Sequence, residues 1–324
     1  MTKAKIAMLI PAFNAASHLP RLLKSAARQT EPFDEIWVYD DCSTDNTAEI
    51  AEQFGARVVR GDVNRGCSYG KNVLAAQTEA EWIHFHDADD ELKPNFVQLA
   101  RRWTIDPQFD AVLFAFEERD DATGAYLSYH AFNKSELARD PRSYAIRHQI
   151  NSICGLYSRP RFIAAGGYEG DPEVLYNEDA AMHIRLAFAG LSFGAESDVA
   201  IINYRRSNSM SSGNRLKCLQ AQYNVMRKTV MREGTALYCM DISRRLWQIA
   251  ECLAAELDWE TADKSVKLAV RLTGLDGLPE GSLFRMLNLV SPAFAIRLRE
   301  WMIRAARPGL RIGYPGWRMI SHVR

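Results

Sequence analysis

The sequence predicts an α/β fold, a mixed and mainly parallel sheet flanked by helices, followed by a helical C-terminal extension. Three observations carry this expectation. Short apolar runs alternate with helical periods, in units of about 20–30 residues, over the first hundred positions. Beyond residue 110 strand-like runs and helices mix without that alternation. From about Asn214 the apolar spacing turns helical, which places a soft boundary near Gly213 between a sheet domain (1–213) and a helical region (214–324).

Each element has its own signal. Ile6–Ile10 is an unbroken apolar run ending at Pro11, the composition of a strand buried on both faces. Leu19, Leu22, Leu23 and Ala26 then fall on one face of a helix. Glu35–Tyr39 is a second strand, and Ser43, Thr44 or Asp45 can cap a helix over Thr47–Phe54. Ala56–Val59 is a third strand. A helix follows Ser68 through Val73, Leu74 and Ala76, and Trp82–His86 is a fourth strand. Further on, Ala111–Phe116, Ala125–His130 and Val199–Tyr204 read as strands and Asn177–Ala189 as a helix. Leu216, Leu219 and Tyr223, then Leu246, Ile249 and Leu253, repeat at helical spacing.

Charge narrows the function classes. The 324 residues carry 40 Lys+Arg and 40 Asp+Glu, a balance that argues against a nucleic-acid partner. The distribution is uneven, with seven arginines between Arg297 and Arg324 against one acid, Glu300. The N-terminal apolar run is too short for a signal peptide, and no stretch approaches the ~18–20 apolar residues of a membrane span. Six cysteines show no C-x-x-C pairing. A cytoplasmic location with reduced thiols is therefore expected.

In open α/β sheets ligands sit beyond the carboxyl ends of the strands. There the sequence places Asp40-Asp41 after the second strand and Asp87-Ala-Asp89-Asp90-Glu91 after the fourth. Such clustered carboxylates repel one another unless a cation sits among them, and oxygen ligands suit Mg²⁺ or Mn²⁺. In an extended segment Asp87 and Asp89 point to the same side. The alternative is a solvated acidic turn ahead of a helix starting near Pro94. Asp41, at a strand tip, can accept hydrogen bonds from a base or ribose. Gly66-Cys-Ser-Tyr-Gly70-Lys71-Asn72 is a P-loop decoy, with three residues between its glycines and Asn72 where Ser or Thr is required. No G-x-G-x-x-G follows the first strand, against a dinucleotide-binding domain.

Several pieces stand in one order: Pro11-Ala-Phe-Asn14; Gln29-Thr30; Asp40-Asp41-Cys-Ser-Thr-Asp45; Asn64-Arg-Gly66 with Lys71-Asn72; and Asp87-Ala-Asp89-Asp90. Gly166-Gly167-Tyr168 and Glu178-Asp179 with Arg185 complete the series. Over about residues 4–206 the chain thereby resembles the family 2 glycosyltransferases. The resemblance implies the GT-A nucleotide-diphospho-sugar transferase fold. It also implies metal-dependent, inverting transfer of a hexosyl or N-acetylhexosaminyl group from a UDP-linked donor. The implied acceptor is a hydroxyl of a bacterial surface glycan or its lipid-linked precursor. Residue by residue, it implies that Asp41 contacts the nucleobase, that Pro11, Phe13 and Asn14 frame the nucleotide pocket, and that Lys71 touches the nucleotide. Asp87 and Asp89 would form the D-x-D motif, with Asp89 on the Mn²⁺ or Mg²⁺ and Asp87 on the ribose or a metal-bound water. Asp179 would be the catalytic base and Glu178 its alternate. Cys42 stands where the family has glycine, so a positive φ there costs about 1 kcal/mol or more.

Other features stay open at this stage. Arg205 and Arg206 lie in Tyr204–Ser211, a stretch resembling one that often carries histidine in the family; they either pair with diphosphate oxygens or lie on a solvated strand. His183, His84 and His86 read as structural. Two rival functions are transfer to polyprenyl phosphate and a nucleotide-binding GT-A regulator or scaffold without turnover. Over residues 294–324, Arg297, Arg304 and Arg311 recur at seven-residue intervals beside Phe294, Leu298, Trp301 and Met302, with Tyr314 and Trp317 beyond. Such a tail fits peripheral contact with anionic headgroups on the inner face of the cytoplasmic membrane, or equally a helix packed on the sheet domain or on a second subunit. The oligomeric state is left open.

Overall fold

Ile6–Ala12 (β1) is buried along its whole length, as its unbroken apolar run requires. It pairs in parallel with Glu35–Asp40 (β2) on one side and with Trp82–Phe85 (β4) on the other, and β2 pairs in parallel with Arg57–Arg60 (β3). In the computed structural model, which describes residues 3–206, 213–278 and 282–315, these strands form one half of a nine-stranded mixed sheet. The remaining strands are Glu91–Leu92 (β5), Ala111–Asp120 (β6), Tyr126–His130 (β7), Gly155–Ser158 (β8) and Phe193–Arg205 (β9). The order is β3-β2-β1-β4-β8-β6-β9-β5, with β7 on β6. The N-terminal half is parallel. β8, set between β4 and β6, runs against both of these neighbours, and β6 and β9 are parallel to each other.

Eight helices cover this sheet among the described residues: Leu19–Ala27 (α1), Thr47–Gln53 (α2), Cys67–Gln77 (α3), Phe96–Thr104 (α4), Lys134–Arg139 (α5), Pro141–Arg147 (α6), Arg159–Ala164 (α7) and Glu178–Phe188 (α8). The apolar face of α1 (Leu19, Leu22, Leu23) joins Ile6, Met8 and Ile10 of β1 in the core. Phe96 sits there too, with its ring 5.9 Å from Phe33 and 4.9 Å from Phe114. Each such buried aromatic contributes about 1.5–3 kcal/mol. The sequence gives no signal for β8 or β5. β8 is four residues long and opens with Gly155, whose missing side chain leaves the space that the Tyr157 ring occupies. At α2 the expected caps shift by one role. Asp45 accepts the Thr47 N–H at 3.0 Å, while Ser43 Oγ accepts from Asn14 N at 2.9 Å instead of capping the helix.

The chain divides into two compact units, Met1–Gly170 with Glu178–Ser209, and Asp171–Asn177 with Met210–Arg324. The second unit is helical, with Arg215–Val230, Cys239–Ala255, Trp259–Thr273, Ser282–Val290 and Pro292–Ala306. Leu246, Trp247, Ile249 and Leu253 are buried in it together with Val266 and Ala269. Its arginines do not form the exposed basic stripe that the seven-residue recurrence suggests. Buried Glu300 accepts from Arg304 Nε at 2.7 Å and from Arg311 Nε and Nη2 at 2.8 Å each. Arg297 holds Asp263 through two bonds of 2.8 and 2.7 Å, and Arg299 lies 3.0 Å from Glu251. The exposed surface of the last helix includes Phe294, Trp301 and Met302. Trp317 lies outside the described residues. Among the described residues no helix is long and apolar enough to cross a membrane.

Candidate active site

The loops beyond the parallel strands are stitched to one another by backbone-directed hydrogen bonds. Asn14, at φ 48°, accepts the Thr44 N–H on Oδ1 at 2.8 Å, and Asp45 accepts from Ala16 N at 3.1 Å. Cys42 does adopt φ 64°, the left-handed backbone for which glycine is suited. Pro11 is buried and Phe13 is 51% exposed beside this seam. Asp41, almost wholly buried, accepts from Arg65 N at 2.8 Å and Gly66 N at 2.7 Å. Its carboxylate thus fixes the turn that opens α3, where Gly66 has φ 86°.

One turn into α3, Lys71 extends into the protein. Its buried Nζ donates to Ser152 Oγ at 2.7 Å and lies 3.6 Å from Asp179 Oδ1 and 3.8 Å from Asp87 Oδ1. Burial alone would drive off its proton. Asp179 and Asp87 reverse that, holding the ammonium charged well above the ordinary lysine range. Lys71 therefore stands beside both carboxylates of the cluster.

Asp179, in the first turn of α8, accepts from Ser152 N at 3.0 Å and from Tyr168 Oη at 3.2 Å. Burial pushes its carboxyl up, but Lys71 and the Ser152 amide outweigh burial and hold it below the usual range. Its neighbour Glu178 goes the other way. Burial and the Asp179 charge raise it, and Cys67 Sγ lies 3.2 Å from its Oε1. Of the adjacent pair, Asp179 is the acid whose charged form its neighbours favour.

The Gly-Gly-Tyr segment presents Tyr168 to this cluster. Asn72 accepts from Tyr168 N at 2.9 Å and donates to Tyr168 O at 3.0 Å. Gly167, at φ 57°, has no room for a side chain, since a Cβ would stand 2.5 Å from Asn72 Oδ1. Arg185 of α8 secures the same loop through Gly166 O at 3.2 Å and Glu169 at 2.8 Å. His183 is structural. Its Nδ1 lies 2.7 Å from Asp179 O and its Nε2 2.8 Å from Tyr157 Oη. His84 and His86 are likewise fully buried, bonded to each other at 2.9 Å.

Beyond β4, ligand oxygens of Asp87, Asp89 and Asp90 lie within 4.8 Å of one another. Asp90 is already committed, accepting from Asn203 Nδ2 and Tyr204 N at 2.8 Å each, and burial pushes its carboxyl up to about 7. Asp87 and Asp89 remain, an all-carboxylate donor pair that fits a hard divalent cation. Arg206 pairs with Asp89, whereas Arg205 points elsewhere, onto Glu118 Oε1 at 2.6 Å. Residues 207–211 of the same stretch lie outside the described residues. The sequence gives no sign of Ser152, which accepts from Lys71, of Arg21, which donates to Asp89 O, or of His18, which lies 2.8 Å from Arg206. Ser152 stands just ahead of the unsignalled β8, and a single polar residue carries no periodic signal.

The chain is similar to several known proteins. Residues 8–161 match the family model described as "Glycosyl transferase family 2". Among curated relatives, a 4,4'-diaponeurosporenoate glycosyltransferase of Staphylococcus haemolyticus is 40% identical over 97 residues, 28% of this chain and 26% of its own. The poly(ribitol-phosphate) beta-N-acetylglucosaminyltransferase TarS of Staphylococcus aureus is 32% identical over 117 residues, 34% of this chain and 20% of its own. The chain thus spans well under half the length of either relative. Among solved structures, S. aureus TarS 1–349 in complex with UDP-GlcNAc superposes with a TM-score of 0.69 at 17% identity, over 93% of this chain and 91% of that one. The mannosyltransferase PcManGT of Pyrobaculum calidifontis, in complex with GDP-Man and Mn²⁺, gives 0.58 at 16% identity, over 93% and 85%.

Proposed function

Since this chain carries a family 2 glycosyltransferase domain with the GT-A fold, we propose that it transfers a sugar, with inversion, from a UDP-linked donor to a glycan hydroxyl. The observation that carries this is Asp179, a carboxylate in a cluster that also holds Asp87, 3.6 and 3.8 Å respectively from the same Lys71 Nζ. An attacking hydroxyl must lose a proton, and a charged carboxylate on the far side of the sugar from the leaving group accepts it. Tyr168 and Ser152 aim that carboxylate. On the leaving side, Asp89 and Asp87 would hold the Mn²⁺ or Mg²⁺, which when bound supplies Lewis-acid neutralisation of the departing diphosphate. Arg206 adds a guanidinium suited to bidentate phosphate contact, and Arg205, tied to Glu118, is the weaker candidate. Asp41, Asn14, Pro11 and Phe13 line the strand-end seam where the base would lie, while Lys71 acts from below on the carboxylates. Glu178, whose Oε1 lies 3.2 Å from Cys67 Sγ, would be the alternate base.

The UDP-linked donor is proposed by analogy with TarS, whose structure is a complex with UDP-GlcNAc. The acceptor we propose is a bacterial surface glycan or its lipid-linked precursor, in keeping with the polymer named for TarS. Catalysis would reside in residues 1–213, with 214–324 as a helical region. The reaction would run at the cytoplasmic face of the membrane, approached through the exposed Phe294, Trp301 and Met302 of the Pro292–Ala306 helix. A panel of UDP- and GDP-sugars with Mn²⁺, read by nucleotide release and by NMR of the new anomeric centre, tests the proposal. A β-linked product from an α-linked UDP donor supports it; an α-linked product, or release from GDP donors alone, overturns it.

A further inference from the structure

Asp89 is not an open ligand here. Its carboxylate is held by Arg206, and its main-chain carbonyl accepts from Arg21. Arg206 also reaches His18 Nε2 at 2.8 Å. A guanidinium only donates, so His18 must accept with that nitrogen and carry its proton on Nδ1 as a neutral ring. Burial, followed by the Arg206 charge, keeps His18 below its ordinary value and so agrees with the neutral form. Two cations therefore serve the acidic pair in different ways. Lys71 is buried and pinned to Ser152, so it cannot leave Asp87. Arg206 is 27% exposed and reaches Asp89 from the end of β9, so it can.

We propose that Arg206 is the resident counter-ion of Asp89 in the donor-free protein, displaced onto the donor's diphosphate when a divalent ion takes Asp89. This rests on the reading of Asp87 and Asp89 as the metal ligands. A dication and a guanidinium compete for one carboxylate. A metal ion arriving alone must break the ion pair and leave Arg206 beside it without an anion. A metal arriving with a diphosphate supplies the anion that Arg206 then takes. Metal and nucleotide therefore bind cooperatively, and the coupling is equal in both directions by linkage.

The test is Mn²⁺ titration followed by electron paramagnetic resonance, with and without UDP, on the full chain and on Arg206→Gln, Arg206→Lys and Asp89→Ala. Without UDP, Arg206→Gln should bind Mn²⁺ about tenfold more tightly than the parent, and Arg206→Lys, which keeps the charge, should stay near it. The gain in Mn²⁺ affinity on adding UDP should shrink in Arg206→Gln by a similar factor. Unchanged or weaker Mn²⁺ binding by Arg206→Gln, where Asp89→Ala abolishes Mn²⁺ binding in the presence of UDP, overturns the counter-ion role alone. Mn²⁺–UDP binding that survives Asp89→Ala overturns the metal-site reading and the counter-ion role with it.

Discussion

Replacing Lys71 with methionine removes the cation from between two carboxylates without opening a large void. Its Nζ lies 3.6 Å from Asp179 and 3.8 Å from Asp87. At an effective dielectric of about 20, each contact amounts to roughly 4–5 kcal/mol of Coulomb attraction before desolvation is subtracted. Removing one partner of such a buried group strands the others, at a net cost of about 3–5 kcal/mol. Urea unfolding of Lys71→Met at pH 8 should show a loss of that size. The loss must also depend on pH in a defined direction. Asp179 is held below its unfolded value, so its stabilising contribution is complete above the ordinary carboxylate range and fades as pH falls through the folded value. Lys71→Met lacks that contribution, so the gap between variant and parent should narrow toward acid. Equal stability at pH 8, or a gap that stays constant from pH 5 down to pH 3, would refute this reading of Lys71.

Other consequences are open to measurement. Burial pushes His84 and His183 down to about 4, so the unfolded chain protonates first. Their stabilising contribution is complete above about pH 6.5 and lost between 6.5 and 4, at about 2 kcal/mol each by pH 5, and a flat stability profile across that window would contradict it. Gly167→Ala places a Cβ 2.5 Å from Asn72 Oδ1 at φ 57°, and should lower thermal stability by about 1–3 kcal/mol while loosening Tyr168 from Asp179. An unshifted melting temperature would be the contrary result. Glu300→Ala leaves Arg304 and Arg311 without their carboxylate and should cost about 3 kcal/mol or more in chemical denaturation; a smaller loss would mean the pair is dispensable.

The legible parts of the molecule are those whose signal is local. β1 stands out because a buried parallel strand needs an unbroken apolar run, and α1 because its leucines recur on one face. β8 is silent because four residues beginning with glycine and ending with serine have no period, although it runs against both of its neighbours in the middle of the sheet. The acids of the site are visible for the same local reason, since Asp87, Asp89, Glu178 and Asp179 sit in short motifs at element ends. Their partners are not. Ser152 reaches Lys71 across 81 positions and Arg206 reaches His18 across 188, and only the folded sheet brings such residues together. Lys71 is the clearest case: its motif marks it as part of the site, yet only burial and two carboxylates reveal that it acts on the acids. The tail makes a parallel point, because regular arginine spacing does not say which side of the helix faces inward, and Arg304 and Arg311 face Glu300.

The role of Asp179 is most directly tested by comparing Asp179→Asn with the parent for both UDP binding and sugar transfer, under saturating Mn²⁺. Asparagine keeps the shape and most of the hydrogen bonding but cannot take a proton. UDP affinity should stay within about threefold while turnover falls by about 10²–10⁴. Turnover preserved within about threefold would remove Asp179 as the base, and with it the mechanism built around this cluster.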